Sequence, residues 1–302
     1  MNCLMPCAWN IRQNSLPNWP DRCRVMVTDD QTIASALRWA RQKLDPLEAR
    51  VLLCHQLHCN SARLAAYPEQ KLSSTQWQAF QHTVSRREAG EPVAYLIGER
   101  EFYGHVFSVT PATLIPRSDT ELLVELALAQ HHVSRVLDLG CGSGAVAVSI
   151  AKTNPQLEVW AVDISEAAVL LTQQNAQKMG VKIYCLRSDW FQSLDGQKFD
   201  LIVSNPPYIA ADDRHLAEGD LRFEPQQALV SGAQGIADLQ HIARYAPGYL
   251  NAGGSLLMEH GYNQAAAVRQ CLHEEGFSHV GSWKDLAGIE RVSGGRYGLA
   301  PV

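Results

Sequence analysis

Apolar residues fall on one helical stripe early in the chain: Ile33, Ala36, Leu37, Ala40 and Leu44 recur at the interval of a helix with one buried face. Asp29 or Asp30 is placed to cap this helix, since a short carboxylate accepts from the free N–H groups of a first turn. Pro46 opens a second helix with Leu47, Val51, Leu52 and His55 along one side. Ser73 and Ser74 are caps for a third, which carries Trp77, Phe80, Val84 and Arg87 and stops at Gly90. Nothing from 28 to 90 alternates at strand period, so residues 28–91 are predicted to form a small helical domain. Residues 92–116 change character. The runs 93–97 and 102–109, rich in β-formers and set around Gly98 and Gly104, predict a β-hairpin linker, after which a helix begins near Ser118.

From residue 135 the pattern alternates between apolar strands and amphipathic helices. RVLDLG, EVWAVDI, KIYCLRSD, FDLIVSNPPY and GSLLMEHG read as strands, and helices run through GAVAVSIAK, through EAAVLLTQQNAQKMG and over about 235–250. FSHVGSWKD and ERVSGGRYGLA read as a closing antiparallel pair. This order predicts an α/β domain over 117–302, a doubly wound, seven-stranded, mostly parallel sheet with helices on both faces.

Composition narrows the partners. A hydrophobic fraction of 46% supports a sizeable core, and a net charge of −5 weighs against a protein that lives on nucleic-acid phosphates. No run is long and apolar enough to span a bilayer, and the N-terminus lacks the apolar core of a secretory signal. The 8 cysteines contain no CxxC pair and the histidines no HExxH pattern, so reduced thiols, no metal and a cytoplasmic location are expected. Residues 1–27, with three prolines and no periodicity, are expected to be a disordered arm, with Met26 as an alternative start.

Two motifs carry chemistry. In VLDLGCGSG, Gly140, Gly142 and Gly144 remove side chains where a strand turns into a helix and the backbone approaches a ligand. Asp163 ends the next strand, where a carboxylate accepts from ribose hydroxyls. The pattern fits a nicotinamide dinucleotide or S-adenosylmethionine. GxGxG followed by Ala145 departs from the dinucleotide spacing, and Asp138 would repel a pyrophosphate but suits a cationic ligand. The second motif is SNPPY, residues 204–208. Two prolines fix φ and leave carbonyls free, so the Asn205 side chain and the Pro206 carbonyl converge on one NH2 group, with Tyr208 as a stacking face. That clamp fits a planar amide or an aminopurine nitrogen.

TLIPRSDTE before the glycine loop, SDWF at 188–191 and RFEP at 222–225 complete a narrower pattern. With the preceding helical domain, the chain resembles the peptide chain release factor glutamine methyltransferases, class I S-adenosylmethionine-dependent enzymes, over about residues 28–300. It departs at Ser118, where the family usually has proline, and the arm 1–27 has no counterpart. The resemblance implies that S-adenosyl-L-methionine contacts Gly140, Cys141, Gly142, Ser143, Gly144, Asp163, Trp190 and Asn205. It implies that Asn205 is catalytic and that Asn205, Pro206, Pro207 and Tyr208 hold the acceptor, the glutamine of the GGQ motif in bacterial class-1 release factors. The helical domain would help to hold the factor, without membrane or direct nucleic-acid contact.

Blander readings cover the neighbours. Phe107 is read as hairpin packing, Arg117, Asp119 and Glu121 as a capped helix start with a salt bridge, and Glu259–His260 as a structural strand end. The nearest rival function is an N6-adenine nucleic-acid methyltransferase, which shares NPPY but needs a cationic phosphate track. Arg38, Arg41, Lys43 and Arg50 are too few to supply one. A nicotinamide oxidoreductase fails on the glycine spacing, and a non-catalytic adaptor on the intact motifs.

Overall fold

A computed structural model describes residues 31–298. The expected arm at 1–27 and the capping aspartates Asp29 and Asp30 lie outside the described residues. The cap of helix Ile33–Ala40 is Thr32, whose hydroxyl accepts from the Ser35 N–H while the Ser35 hydroxyl accepts from the Thr32 N–H. Asp45 accepts from Leu47 N at 2.7 Å and sets up helix Pro46–Gln56. Ser73 and Gln76 form a second reciprocal cap on helix Ser74–Glu88. Helix Ser61–Ala66, not predicted from apolar spacing, announces itself only by its Asn60 cap. These helices close over Ile33, Leu52, Leu53, Phe80 and Val84, all buried.

The run Val93–Ile97 is a helix, not the predicted strand. Five apolar residues are too few for period to separate the two conformations. Pro92 (φ −57°) is preset for a helical start and Gly98 (φ +72°) ends it. The hairpin is therefore shorter, with β1 Glu99–Phe102 and β2 His105–Ser108 joined through Tyr103 (φ 51°) and Gly104 (φ 72°). Two positive φ angles match the primed turn that suits strand twist.

The remaining strands form one seven-stranded sheet in the order β5-β4-β3-β6-β7-β9-β8. They are β3 Arg135–Leu139, β4 Glu158–Asp163, β5 Tyr184–Arg187, β6 Phe199–Ser204, β7 Leu250–Glu259, β8 Ser278–Lys284 and β9 Glu290–Arg296. Only β9 runs against its neighbours. The pleat feeds two cores. Val136, Ala161 and Val203 pack with helices Glu121–Leu128 and Ala145–Thr153, whereas Leu137, Val162 and Ile202 pack with Ala237–Tyr245 and Ala265–Glu274.

Two ties fix the parts around the sheet. Arg87 donates to Glu48 at 2.7 Å and to Asp220 at 3.0 Å, joining the helical domain to the segment after NPPY. Asn175, fully buried on helix Glu166–Met179, accepts from Ser108 N at 2.8 Å and donates to Ser108 O at 2.9 Å and Ser143 O at 2.8 Å. One amide thus holds the hairpin and the glycine loop together. Asn175→Ala strands these backbone groups and should destabilise the protein by about 3 kcal/mol, read as a lowered urea midpoint with an unchanged m-value.

Candidate active site

β3 and β6 are neighbours, but the chain leaves β3 toward β4 and β6 toward β7, so a crevice opens at their carboxyl ends. Ser204 closes its base by donating to Leu139 O at 2.7 Å. The glycine loop leaves β3 with Gly140 and Gly142 at φ 74° and 56°, and a Cβ on Gly144 would come 2.8 Å from the Thr172 side chain. A cavity of about 410 Å³ fills the crevice, within the roughly 300–1,000 Å³ of small-molecule sites. Among the residues singled out from the sequence, Gly140, Cys141, Gly142, Ser143, Asp163, Trp190, Asn205 and Pro207 line it. Gly144, Pro206 and Tyr208 are not among its lining residues.

The cavity floor is acidic. Asp138 is buried and accepts from Ala147 N at 3.1 Å. Burial pushes its pKa up to about 7, and the nearby Asp163 charge acts in the same direction. Asp163 accepts from Gly142 N and Ser165 N, both at 2.9 Å, yet burial still holds it above the usual carboxylate range. Trp190 takes a left-handed backbone (φ 47°), a strained conformation for a bulky residue. Ser188 holds it there, donating to Trp190 O at 2.7 Å and accepting from Ser193 N at 3.0 Å. The indole lies 3.6 Å from where a Gly140 side chain would begin, so a bare glycine and a flat ring form one wall.

At the other end Asn205 donates from Nδ2 to Thr120 Oγ1 at 3.1 Å, which leaves Oδ1 as its acceptor. Tyr208, the predicted stacking residue, is anchored at two points. Its hydroxyl donates to Glu259 Oε1 at 3.3 Å and its carbonyl accepts from Gln264 Nε2 at 3.0 Å, so it braces the NPPY turn from behind. Burial raises Glu259 to about 7, and its Oε2 has no hydrogen-bond partner. His260 sits between Ser293 Oγ at 2.8 Å and Gly261 O at 2.9 Å, where burial lowers its pKa.

The local salt bridge expected among Arg117, Asp119 and Glu121 does not form, and around the 3-10 turn Ser118–Thr120 each of the three takes a distant partner instead. Arg117 lines the cavity and pairs with Glu224, Asp119 pairs with Arg291 at 3.3 Å, and Glu121 accepts from Tyr103 N at 2.9 Å. Glu224, buried, also accepts from Ile115 N at 2.9 Å, so RFEP is clasped to TLIPR. Phe107 is fully buried, edge-on to Phe102. Thr120 and Glu224 lay inside quoted motifs without an assigned role. The sequence marks Asn175 only as a polar residue, like Thr172, on a helix face that also buries Ala168, Leu171 and Ala176.

Residues 117–234 match the family model of the methyltransferase small domain, and residues 31–98 match that of the PrmC N-terminal domain. The release factor glutamine methyltransferase of Bordetella pertussis is 52% identical over 256 residues, covering 83% of this chain and 95% of that one. The Escherichia coli protein of the same name is 44% identical over 270 residues, covering 86% and 98%. A methyltransferase from Pyrococcus furiosus shares the fold at a TM-score of 0.51 and 17% identity, covering 72% of this chain and 98% of that one. Among the described residues no helix is long and apolar enough to cross a membrane.

The buried Asp138 leaves a mark on stability. It titrates near 7 in the fold but near about 4 in the unfolded chain. The folded protein then binds the extra proton, and stability falls as pH rises between those values. Asp138→Asn removes this loss. Without ligand, the variant should be more stable than the parent by on the order of 2 kcal/mol at high pH and no more stable at low pH, as measured by urea unfolding at both.

Proposed function

The chain belongs to the release factor glutamine methyltransferase family, and from that premise we propose that it transfers a methyl group from S-adenosyl-L-methionine to the side-chain amide nitrogen of the GGQ glutamine in bacterial class-1 release factors. The observation that carries this reading is the meeting, in one cavity, of the glycine loop with an Asn205 side chain whose Oδ1 is left as an acceptor.

The residues present fit the cofactor. Asp163 would accept from the ribose hydroxyls, Trp190 would flank the adenine, and Asp138 would face the cationic amino-acid end. When bound, the cofactor supplies a methyl group activated by a sulfonium. The acceptor is the difficulty, because an amide nitrogen shares its lone pair with its own carbonyl. Asn205 Oδ1 and the Pro206 carbonyl accept its two N–H bonds, orienting the amide plane and supporting the positive charge that gathers on nitrogen. Thr120 fixes the Asn205 side chain, and Ser204 and Gln264 tie the chain on either side of the turn, so little reorganisation is needed. The departing proton passes to water after transfer.

The same clamp fits the amino group of adenine, but a phosphate track needs several cations, and Arg117 is the one Lys, Arg or His side chain among the described residues that line the cavity. A single cation at the cavity supports a protein substrate without direct nucleic-acid contact. A translation-termination substrate supports a cytoplasmic location.

A methyl-transfer assay with labelled S-adenosylmethionine tests the reading. Label is expected on a wild-type release factor and absent from its GGQ→GGA variant and from DNA; label on DNA, or equally on the variant, overturns the acceptor assignment. Asn205→Ala should lower kcat by about 100-fold or more while cofactor affinity changes by less than about tenfold.

A further inference from the structure

S-adenosylmethionine carries two cationic groups, the sulfonium and the α-ammonium, and one carboxylate. The cavity meets the cations well and the carboxylate badly. Asp138, Asp163, Asp189 and Asp238 all line it, and Arg117 is the only Lys, Arg or His among its lining residues. A carboxylate brought into that field is desolvated and repelled unless a cation pairs with it. The N-terminus of helix Ala145–Thr153 would be the ordinary home for an anion, but the Asp138 carboxyl already accepts from Ala147 N there.

We propose that Arg117 anchors the carboxylate of the cofactor's amino-acid end. The proposal rests on the methyltransferase reading above and assigns one residue within that site. Arg117 stands three places before Thr120, the residue that holds Asn205, so it belongs to the acceptor end of the cavity. The reactive sulfonium must face that end, and the amino-acid arm branches from the sulfonium. The guanidinium is also mounted rigidly. Glu224, whose side chain is 0% exposed, takes Arg117 Nη2 and is itself held by Ile115 N at 2.9 Å. A guanidinium has further donors in a fixed fork, suited to a second carboxylate. Glu224 therefore acts as the positioning residue, and the charge-assisted contact belongs to Arg117.

Calorimetric titration of the full chain tests this with four ligands that divide two and two by the carboxylate. S-adenosylmethionine and S-adenosylhomocysteine carry the carboxylate; decarboxylated S-adenosylmethionine and 5′-methylthioadenosine lack it. Arg117→Ala should weaken the first two by about 10- to 100-fold and the last two by less than about twofold, with Arg117→Lys intermediate for the first pair. Removing Arg117 strands a buried Glu224, so the titrations are repeated with Glu224→Gln present in both parent and variant, where the same discrimination is expected. Equal weakening of all four ligands overturns the proposal. So does unchanged cofactor affinity with a raised KM for the release factor, which would give Arg117 to the acceptor. A parent protein that binds none of the four overturns the methyltransferase reading itself, a separate failure.

Discussion

The site depends on one topological constraint. Two adjacent parallel strands, β3 and β6, send their chains in opposite directions, and no backbone fills the gap between their carboxyl ends. The Ser204–Leu139 bond stops that gap from widening at its base. Given this opening, the glycine loop and the NPPY turn must face each other, because each is simply the first stretch of chain beyond its strand. Trp190, Asp163 and the TLIPR segment add walls to a space the sheet has already made.

How much of this could be read in advance follows the range of the interactions. Features set by a few consecutive residues were legible: the cap at Ser73, the proline start at Pro46, the glycine turn after β3 and the restricted Asn205 before two prolines. Features set by distant partners were not. Glu224 and Arg117 are 107 residues apart, and neither implies the other by spacing. The hydroxyl of Tyr208 is held by the buried Glu259, 51 residues on, a brace that no local pattern announces. The run 93–97 failed for a different reason: its conformation is decided by Pro92, Gly98 and the packing of Ala94 and Tyr95, not by its own period.

The site also holds charge at a cost to the fold. Asp138 and Glu259 are carboxyls in places where burial favours the protonated form, and Glu259 leaves one oxygen unpaired. A core chosen only for stability would replace both with apolar groups. Asp138 lines the cavity, so a positive charge brought into it would relieve the penalty that the empty protein carries.

The clasp between Arg117 and Glu224 has an evolutionary consequence. Loss of the arginine alone leaves a carboxylate buried without its partner. Loss of the glutamate alone leaves a guanidinium without its counter-ion and drops the bond to Ile115 N. Neither position can drift by itself without passing through a damaged intermediate. Two short segments that flank strands β3 to β6 in the sequence are thus coupled, and a change in one calls for a compensating change in the other.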